Sequence, residues 1–575
     1  MKKLSFKTWI EKIQLVALRF PSTLFFVEGF TFLLLIQINQ LSNNYHERSL
    51  TFFALGILLS LSITLFSEGF KNLYKIGLNL LAICLLLLYC FILPEKFYPV
   101  HFYQVISIGI VLSLTAFFVS FLKKENDIPF WEFSKESIIQ LIITIIFAQV
   151  LMAGLSLAAL SLKELFKINI DGKIYGDLAV ISYVSFGGIF FLANVPDNTE
   201  KQKQIYNFNK FLKVLGLYIL LPILAIYSLI LYVYLIKILV SWQLPNGYVS
   251  KLVSVLGLGG FLTMLIIYPL RLEKNKVALL LSKYFPVFIL PLLILMSVGI
   301  FRRLGDYGMT INRLYVLILN IWLYGISIYL FISKANQLKW IVITFASVLF
   351  LTSVGPWSVY NITKQTMLKE INQLLSESKL LKNGKVIDNQ NSSIKLHPKL
   401  SAQLSEDIKY ISNNYGIEKL QPFFKNSVKD KKSNDLNKML GINEIPITDT
   451  YFNAWTDKEK AYMIDLKPYK FVLFLPSIKN DKYMILTNSE TVVTFSKMEI
   501  HIKLKSRQDS ILTIPLKSKI KEILKSQKST TSHPIEEMII TSNNCKLVIT
   551  SVTGNYYVQN DSIHINNLDA LLLLK

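Results

Sequence analysis

The stretch Leu351-Thr-Ser-Val-Gly-Pro-Trp-Ser-Val-Tyr360 divides the chain into two parts suited to different solvents. Gly355 and Pro356 close the last apolar run, because glycine loosens a helix and proline lacks the N–H an interior turn needs. Trp357 and Tyr360 are the amphipathic aromatics that favour a membrane–water interface. Working outward, residues 1–360 read as a multi-span transmembrane domain, 361–440 as amphipathic helices and a polar linker, and 441–575 as a soluble β-rich domain.

Composition supports the division. The 575 residues are 52% hydrophobic and only 17% charged, below the quarter usual in soluble chains. The formal charge is +23, yet the lysines and arginines lie between apolar runs rather than beside aromatics on one soluble module. That pattern argues against nucleic acid and for the orientation bias of a polytopic membrane protein, with membrane lipids as partners. Of the three cysteines, Cys84 and Cys90 lie in an apolar run and Cys545 stands alone in the soluble part, so that part is expected to hold no internal disulfide. The basic N-terminus precedes an apolar run without a small-x-small cleavage pattern, which reads as a retained first span.

A helix needs about 20 apolar residues to cross the hydrocarbon. Eleven runs qualify as candidates: 23–39, 51–66, 76–92, 105–122, 138–160, 178–195, 211–240, 252–270, 285–300, 314–332 and 340–360. Pro222 is expected to kink the seventh, and Pro286 and Pro291 to bend or break the ninth. The N-terminus and the even-numbered connections carry about 20 basic residues against about 9 in the odd ones, which favours a cytoplasmic N-terminus in a bacterial inner membrane. Eleven crossings then place the C-terminal domain outside the cytoplasm. The predicted fold is an α-helical polytopic membrane protein with about 11 transmembrane helices and a C-terminal α+β domain, mainly antiparallel β.

Past the seam, Met367, Ile371, Leu374 and Leu375 share a helical face within 361–382, and Asn383-Gly384 predicts a turn. A second helix is expected over 401–413, then a Lys- and Asn-rich loop over 425–438. Strand periodicity follows over 471–475, 483–487, 491–495, 499–504, 511–514, 539–541, 546–552 and 556–559, with a helix near 520–524.

Few residues suggest chemistry. Glu28 lies inside the first apolar run, where a carboxylate is costly unless neutral, paired or facing a polar cavity; interfacial solvation is the alternative. The ninth connection gathers Arg302, Arg303, Asp306, Tyr307 and Arg313 with Gly305 and Gly308, and arginines suit a carboxylate or phosphate. The structural alternative is a buried turn in which Asp306 pairs with an arginine and Thr310 caps the next helix. Gly187-Gly188 and Gly257, Gly259 and Gly260 suit close helix packing, and Trp242 to Tyr248 an outer turn held by interfacial aromatics. Trp455, Asp457 and Tyr462 suit either a binding cleft or an aromatic core with a helix cap. The six histidines show no metal-ligand spacing, and no phosphate loop, His-Glu-x-x-His or Gly-x-Ser-x-Gly occurs, so no metal or cofactor is expected.

Three stretches together carry a resemblance: Leu221-Pro222 through Leu244-Pro245 with Gly247; the Arg302 to Arg313 loop with Tyr307-Gly308 and Thr310; and Gly355-Pro-Trp-Ser358 followed by Gln365. In order and spacing the chain resembles the bacterial membrane-protein family called domain of unknown function 4153. The resemblance implies a polytopic membrane protein with an extra C-terminal portion and assigns no reaction. Three functions compete. The first is a non-enzymatic envelope protein displaying its C-terminal domain to a protein partner. The second is a transporter or lipid- and phosphate-handling protein using Glu28 and the arginine loop. The third is a lipid-linked-sugar glycosyltransferase, weakened by a short first outer loop with Glu47 as its one carboxylate.

Overall fold

The structure is a computed structural model that describes residues 6–39, 47–123, 125–197, 209–241, 248–387, 389, 398–442, 450–456, 466–467, 469–479, 484–487, 491–496, 499–504, 511–525, 530–542, 545–557 and 562–575. The chain forms two compact units, Met1–Leu368 and Lys369–Lys575.

The first unit is helical: α1 (Phe6–Arg19), α2 (Pro21–Ile38), α3 (Glu47–Ser67), α4 (Asn72–Ile92), α5 (Pro99–Phe118), α6 (Ile128–Phe166), α7 (Lys173–Val180), α8 (Gly187–Asn194), α9 (Lys210–Lys213), α10 (Leu221–Ser241), α11 (Tyr248–Ile266), α12 (Tyr268–Leu272), α13 (Lys276–Phe288), α14 (Leu290–Tyr307), α15 (Ile311–Ile332), α16 (Lys339–Ser353) and the start of α17 (Val359–Glu377). All eleven apolar runs fall on these helices, and ten are long and apolar enough to cross a membrane. A π-helical stretch, Ile181–Phe186, joins α7 to α8, and another, Val214–Leu220, joins α9 to α10 just ahead of Pro222. The ninth run is broken: α13 and α14 meet at Ile289, between Pro286 and Pro291, as the missing N–H groups dictate. At 39 residues α6 is about 58 Å long, well beyond the roughly 30 Å hydrocarbon, so its predicted span 138–160 is only its middle.

Two apolar cores organise the unit. One joins Val16 and Phe20 with Leu61, Phe118, Phe121, Phe130, Phe133, Leu192 and Ile343. The other centres on α11, α14 and α15 through Leu256, Met264, Leu293, Met296, Leu323 and Leu330. Close approach sets the glycine positions. A methyl on Gly56 would strike the Phe26 ring, and one on Gly260 the Phe285 ring. Leu81, Leu85, Ile223, Leu229 and Ile236 stay exposed, as lipid-facing side chains do.

On the eleventh run the helix, α16, has only 15 residues, because Val354 turns extended and Gly355 takes φ +85°. The predicted span 340–360 therefore ends at Ser353. Its depth is fixed by α5, against which it packs. At one end the Lys339 ammonium lies 3.5 Å from the Phe121 carbonyl, and at the other Gln104 donates to the Ser353 carbonyl at 3.2 Å. From Gln104 to Phe121 the α5 rod rises about 26 Å, and α16 rises about 21 Å antiparallel to it.

Hydrogen bonds between connections respect one rule. Arg19, before the first span, bonds to Glu68 in the second connection and to the Val195 and Pro196 carbonyls in the sixth. Asp127 of the fourth connection receives the Lys339 N–H just past the tenth, Gln337 of the tenth reaches the Glu125 carbonyl, and Arg271 of the eighth bonds to the Lys334 and Ala335 carbonyls. On the odd side, Arg48 reaches the Leu93 carbonyl, Glu47 accepts from the Phe97 N–H, and Asn39 donates to Asp177. Each of these ties joins connections of the same parity, the arrangement that successive crossings produce.

The second unit opens on the rest of α17, where Ile371, Leu374 and Leu375 are buried on the predicted face. The hairpin β1 (Leu381–Lys382) and β2 (Lys385–Val386) turns on Asn383 and Gly384, both at positive φ. Next come α18 (Pro398–Tyr415) and α19 (Ser433–Met439). α19 begins inside the predicted loop 425–438 and ends one residue past it; the Asp435 carboxylate caps its start by accepting the Lys432 N–H. The strands are β3 (Thr450–Thr456), β4 (Phe471–Lys479), β5 (Met484–Thr487), β6 (Thr491–Ser496), β7 (Glu499–Leu504), β8 (Ile511–Pro515), β9 (Thr530–His533), β10 (Ile539–Ser542), β11 (Cys545–Tyr557) and β12 (Ser562–Leu574), with α20 (Lys517–Lys525) after β8. One sheet runs β4-β12-β11-β3-β9 with β10 also on β11; the other runs β5-β6-β7-β8. Only β3 and β9 pair in parallel among the described strands. Leu547, Ile549, Val552, Leu568, Leu572 and Ile520 form the core, and burial raises the Cys545 thiol.

Candidate functional site

Glu28 sits seven residues into α2, about 10 Å beyond its start and within the apolar rod. Its carboxylate accepts the Ser185 hydroxyl proton at 2.9 Å, from the π-helical stretch, and it remains exposed. Beside it Tyr183 donates to Gln149 of α6. Ser182, three residues before Ser185, is fully buried and its hydroxyl has no hydrogen-bond partner.

The arginine loop is split between helices. Arg302 and Arg303 lie in the last two turns of α14, and Arg313 in the first turn of α15. The Arg313 guanidinium donates to the Gly308 carbonyl at 2.7 Å, closing the turn where Gly308 takes φ +69°. Thr310 stands at the N-cap of α15, but its side chain makes no capping bond, contrary to expectation. The side chains of Asp306 and Tyr307 lie outside the described residues, as do Trp242 to Gly247, Asp457 and Tyr462. Trp455 is part of β3. Glu28 belongs to the α2 packing with α3, α7 and α8, whereas the arginines belong to α14 and α15.

A cavity of about 670 Å³ opens on the N-terminal, even-numbered face. Its walls are α1, the first turns of α6, and the end of α8 with Pro196 and Asp197. Phe20, Phe133 and Leu192 give it an apolar side; Glu132, Glu136 and Gln140, spaced one turn apart on α6, give it a polar one. Arg19 borders it, with Nε and Nη2 on Glu68 Oε1 at 2.9 and 2.8 Å and Nη1 on the Val195 carbonyl at 2.7 Å. Lys135 bridges Glu132 and Glu136 at 2.5 and 3.0 Å and lies over the Trp131 ring.

The same face holds a buried ion pair. Lys339 and Asp127 are each 2% exposed; the Asp127 carboxylate receives the Lys339 N–H at 3.1 Å and has its ammonium 3.8 Å away. Burial raises the Asp127 carboxyl above its ordinary range, with Lys339 opposing the rise. Burial also lowers the Arg271 guanidinium.

On the opposite face, besides the Arg48, Glu47 and Asp177 ties, lies a neutral hydroxyl network. Tyr360 exchanges hydrogen bonds of 2.8 Å with both Ser107 and Tyr315, and Tyr315 lies 3.2 Å from the Ser353 hydroxyl. Burial raises the Tyr360 phenol. The aromatic at the seam is thus the hub of a network joining α5, α15, α16 and α17. Sequence reading placed Tyr360 at an interface and missed its partners, because hydroxyls spread over 250 residues leave no local pattern.

A sequence family described as domain of unknown function (DUF4153) matches residues 30–384, more than half of the chain. The chain belongs to the DUF4153 family. An uncharacterized protein of Pasteurella multocida (strain Pm70) is similar to it, 25% identical over 393 residues. That alignment covers 63% of this chain and 63% of the relative. No solved structure matches. The DUF4153 match takes in the arginine loop, the buried pair, the hydroxyl hub and the acidic wall of the cavity. It begins just after Glu28 and stops at the Asn383-Gly384 turn, so the β-rich region lies outside the matched portion.

Proposed function

We propose that this DUF4153 protein is a multi-pass inner-membrane anchor that carries its C-terminal unit outside the cytoplasm to bind an envelope protein. The observation that carries the reading is the sorting of connections by parity, with α16 running the depth of α5. Eleven crossings put the chain's exit opposite its N-terminus, and the basic residues of the even connections favour that N-terminus as cytoplasmic. A binding role is supported by β4, which pairs only with β12 among the described strands and exposes Phe474 at 76%. Alkaline phosphatase fused after Lys575 is expected to be active, and a fluorescent cytoplasmic reporter fused there dark. The reverse pair of results overturns the reading.

Glu28 supports a second reading, movement of a proton or cation through the membrane unit. A carboxylate at that depth, bonded to Ser185 beside a π-helical stretch, is a common mark of such pathways. Glu28→Gln in reconstituted vesicles is expected to abolish pH-driven flux, and unchanged flux sinks the idea.

A further inference from the structure

The 670 Å³ cavity is within the roughly 300–1,000 Å³ range of small-molecule sites, and its lining selects a class of ligand. Anions are disfavoured. Arg19 is a bordering cation, and its guanidinium is committed to Glu68 and to the Val195 and Pro196 carbonyls. The side facing it is rich in acceptors: Glu132, Glu136 and Gln140 of α6, with Asn194 and Asp197 across the opening. Lys135 supplies one positive charge to two carboxylates. Glu136 meets Lys135 through Oε1 and its side chain is 41% exposed, so it keeps acceptor capacity toward the opening. Asn194 places one amide N–H on the Phe190 carbonyl at 2.7 Å. Phe20, Phe133, Leu192 and Val16 provide an apolar surface at the same opening.

We propose that this cavity binds a primary ammonium group carried on an apolar body, with the ammonium donating to Glu136 and Gln140 and the apolar part lying on Phe20, Phe133 and Leu192. The cavity is bounded by the helix that leads into the first span. Phosphatidylethanolamine and a soluble alkylamine share the required chemistry.

The test uses the full chain in nanodiscs. Native mass spectrometry would count lipids retained from equal mixtures of phosphatidylethanolamine, phosphatidylcholine and phosphatidylglycerol, and n-hexylamine would be titrated separately by thermal shift. Retention of phosphatidylethanolamine over phosphatidylcholine, whose quaternary nitrogen has no N–H, assigns the lipid source. Saturable hexylamine binding alone assigns the soluble one. Glu136→Gln is expected to weaken whichever is found at least tenfold. Ala193→Trp, which fills the cavity without touching the carboxylates, guards against a folding defect and is expected to do the same. Equal retention of all three lipids with no hexylamine saturation overturns the proposal, as does binding that both variants leave unchanged.

Discussion

The two faces of the membrane unit differ in what they bury: an ion pair on one, hydroxyl hydrogen bonds on the other. On the N-terminal face the connections are tied by charge: Arg19 to Glu68, Lys339 to Asp127, and Arg271 to backbone carbonyls. On the opposite face Glu47 and Asp177 accept from neutral N–H groups and the Arg48–Glu95 ion pair is largely exposed, while the buried ties there are hydroxyl hydrogen bonds among Ser107, Tyr315, Ser353 and Tyr360. Buried charge is tolerated only with a partner, so losing one member costs more than losing a neutral hydrogen bond. The positive bias used to orient the chain therefore serves two ends: most of its lysines are solvated, while Lys339 and Arg19 are structural.

That contrast predicts a ranking. Lys339→Ala strands Asp127 in the interior and is expected to destabilise the unit by about 3–5 kcal/mol in thermal or denaturant unfolding in detergent. Replacing both with apolar residues, Lys339→Met with Asp127→Leu, should recover most of that loss. Arg19→Ala removes charged hydrogen bonds at a partly buried site, for about 1.5–3 kcal/mol. Tyr360→Phe leaves Ser107 and Tyr315 short of a partner and should cost about 1–2 kcal/mol. If Tyr360→Phe exceeds Lys339→Ala, the contrast between the faces is wrong.

The pH dependence is a smaller effect. Asp127 holds its proton more tightly folded than unfolded, because burial raises it. Its contribution is therefore full below the ordinary carboxylate value of about 3.9 and declines as pH rises through the raised value. Unfolding followed across that window should lose this decline in Asp127→Asn. Smallest of all, Thr310→Ala should change stability by less than about 0.5 kcal/mol, since its side chain makes no cap. A loss near 1 kcal/mol, typical of a working cap, would contradict the geometry.

Much of the fold was legible. All eleven apolar runs became helices, and Pro286 and Pro291 marked a real break, because span length and missing N–H groups are local properties. Strand β12 was not legible. It lies between β4 and β11, and Leu572, Leu573 and Leu574 are buried in succession, so it lacks the alternation that marks a one-sided strand. Strand β11 read as two pieces because Gly554 sits at a register shift within one ladder. Among candidate site residues, Glu28 stood out by charge inside an apolar run. Asp127 and Lys339 did not, because each lies beside a polar connection and only tertiary packing buries them.

The central claim is that α16 crosses the membrane despite its 15 residues, so that the chain leaves on the face opposite its start. Single cysteines at Asn336 and Trp357, both exposed, in a background lacking Cys84, Cys90 and Cys545, would be exposed to a membrane-impermeant maleimide in spheroplasts. The account predicts labelling at Trp357→Cys in sealed cells and at Asn336→Cys only after permeabilisation. Labelling of both positions, or of neither, before permeabilisation would contradict it.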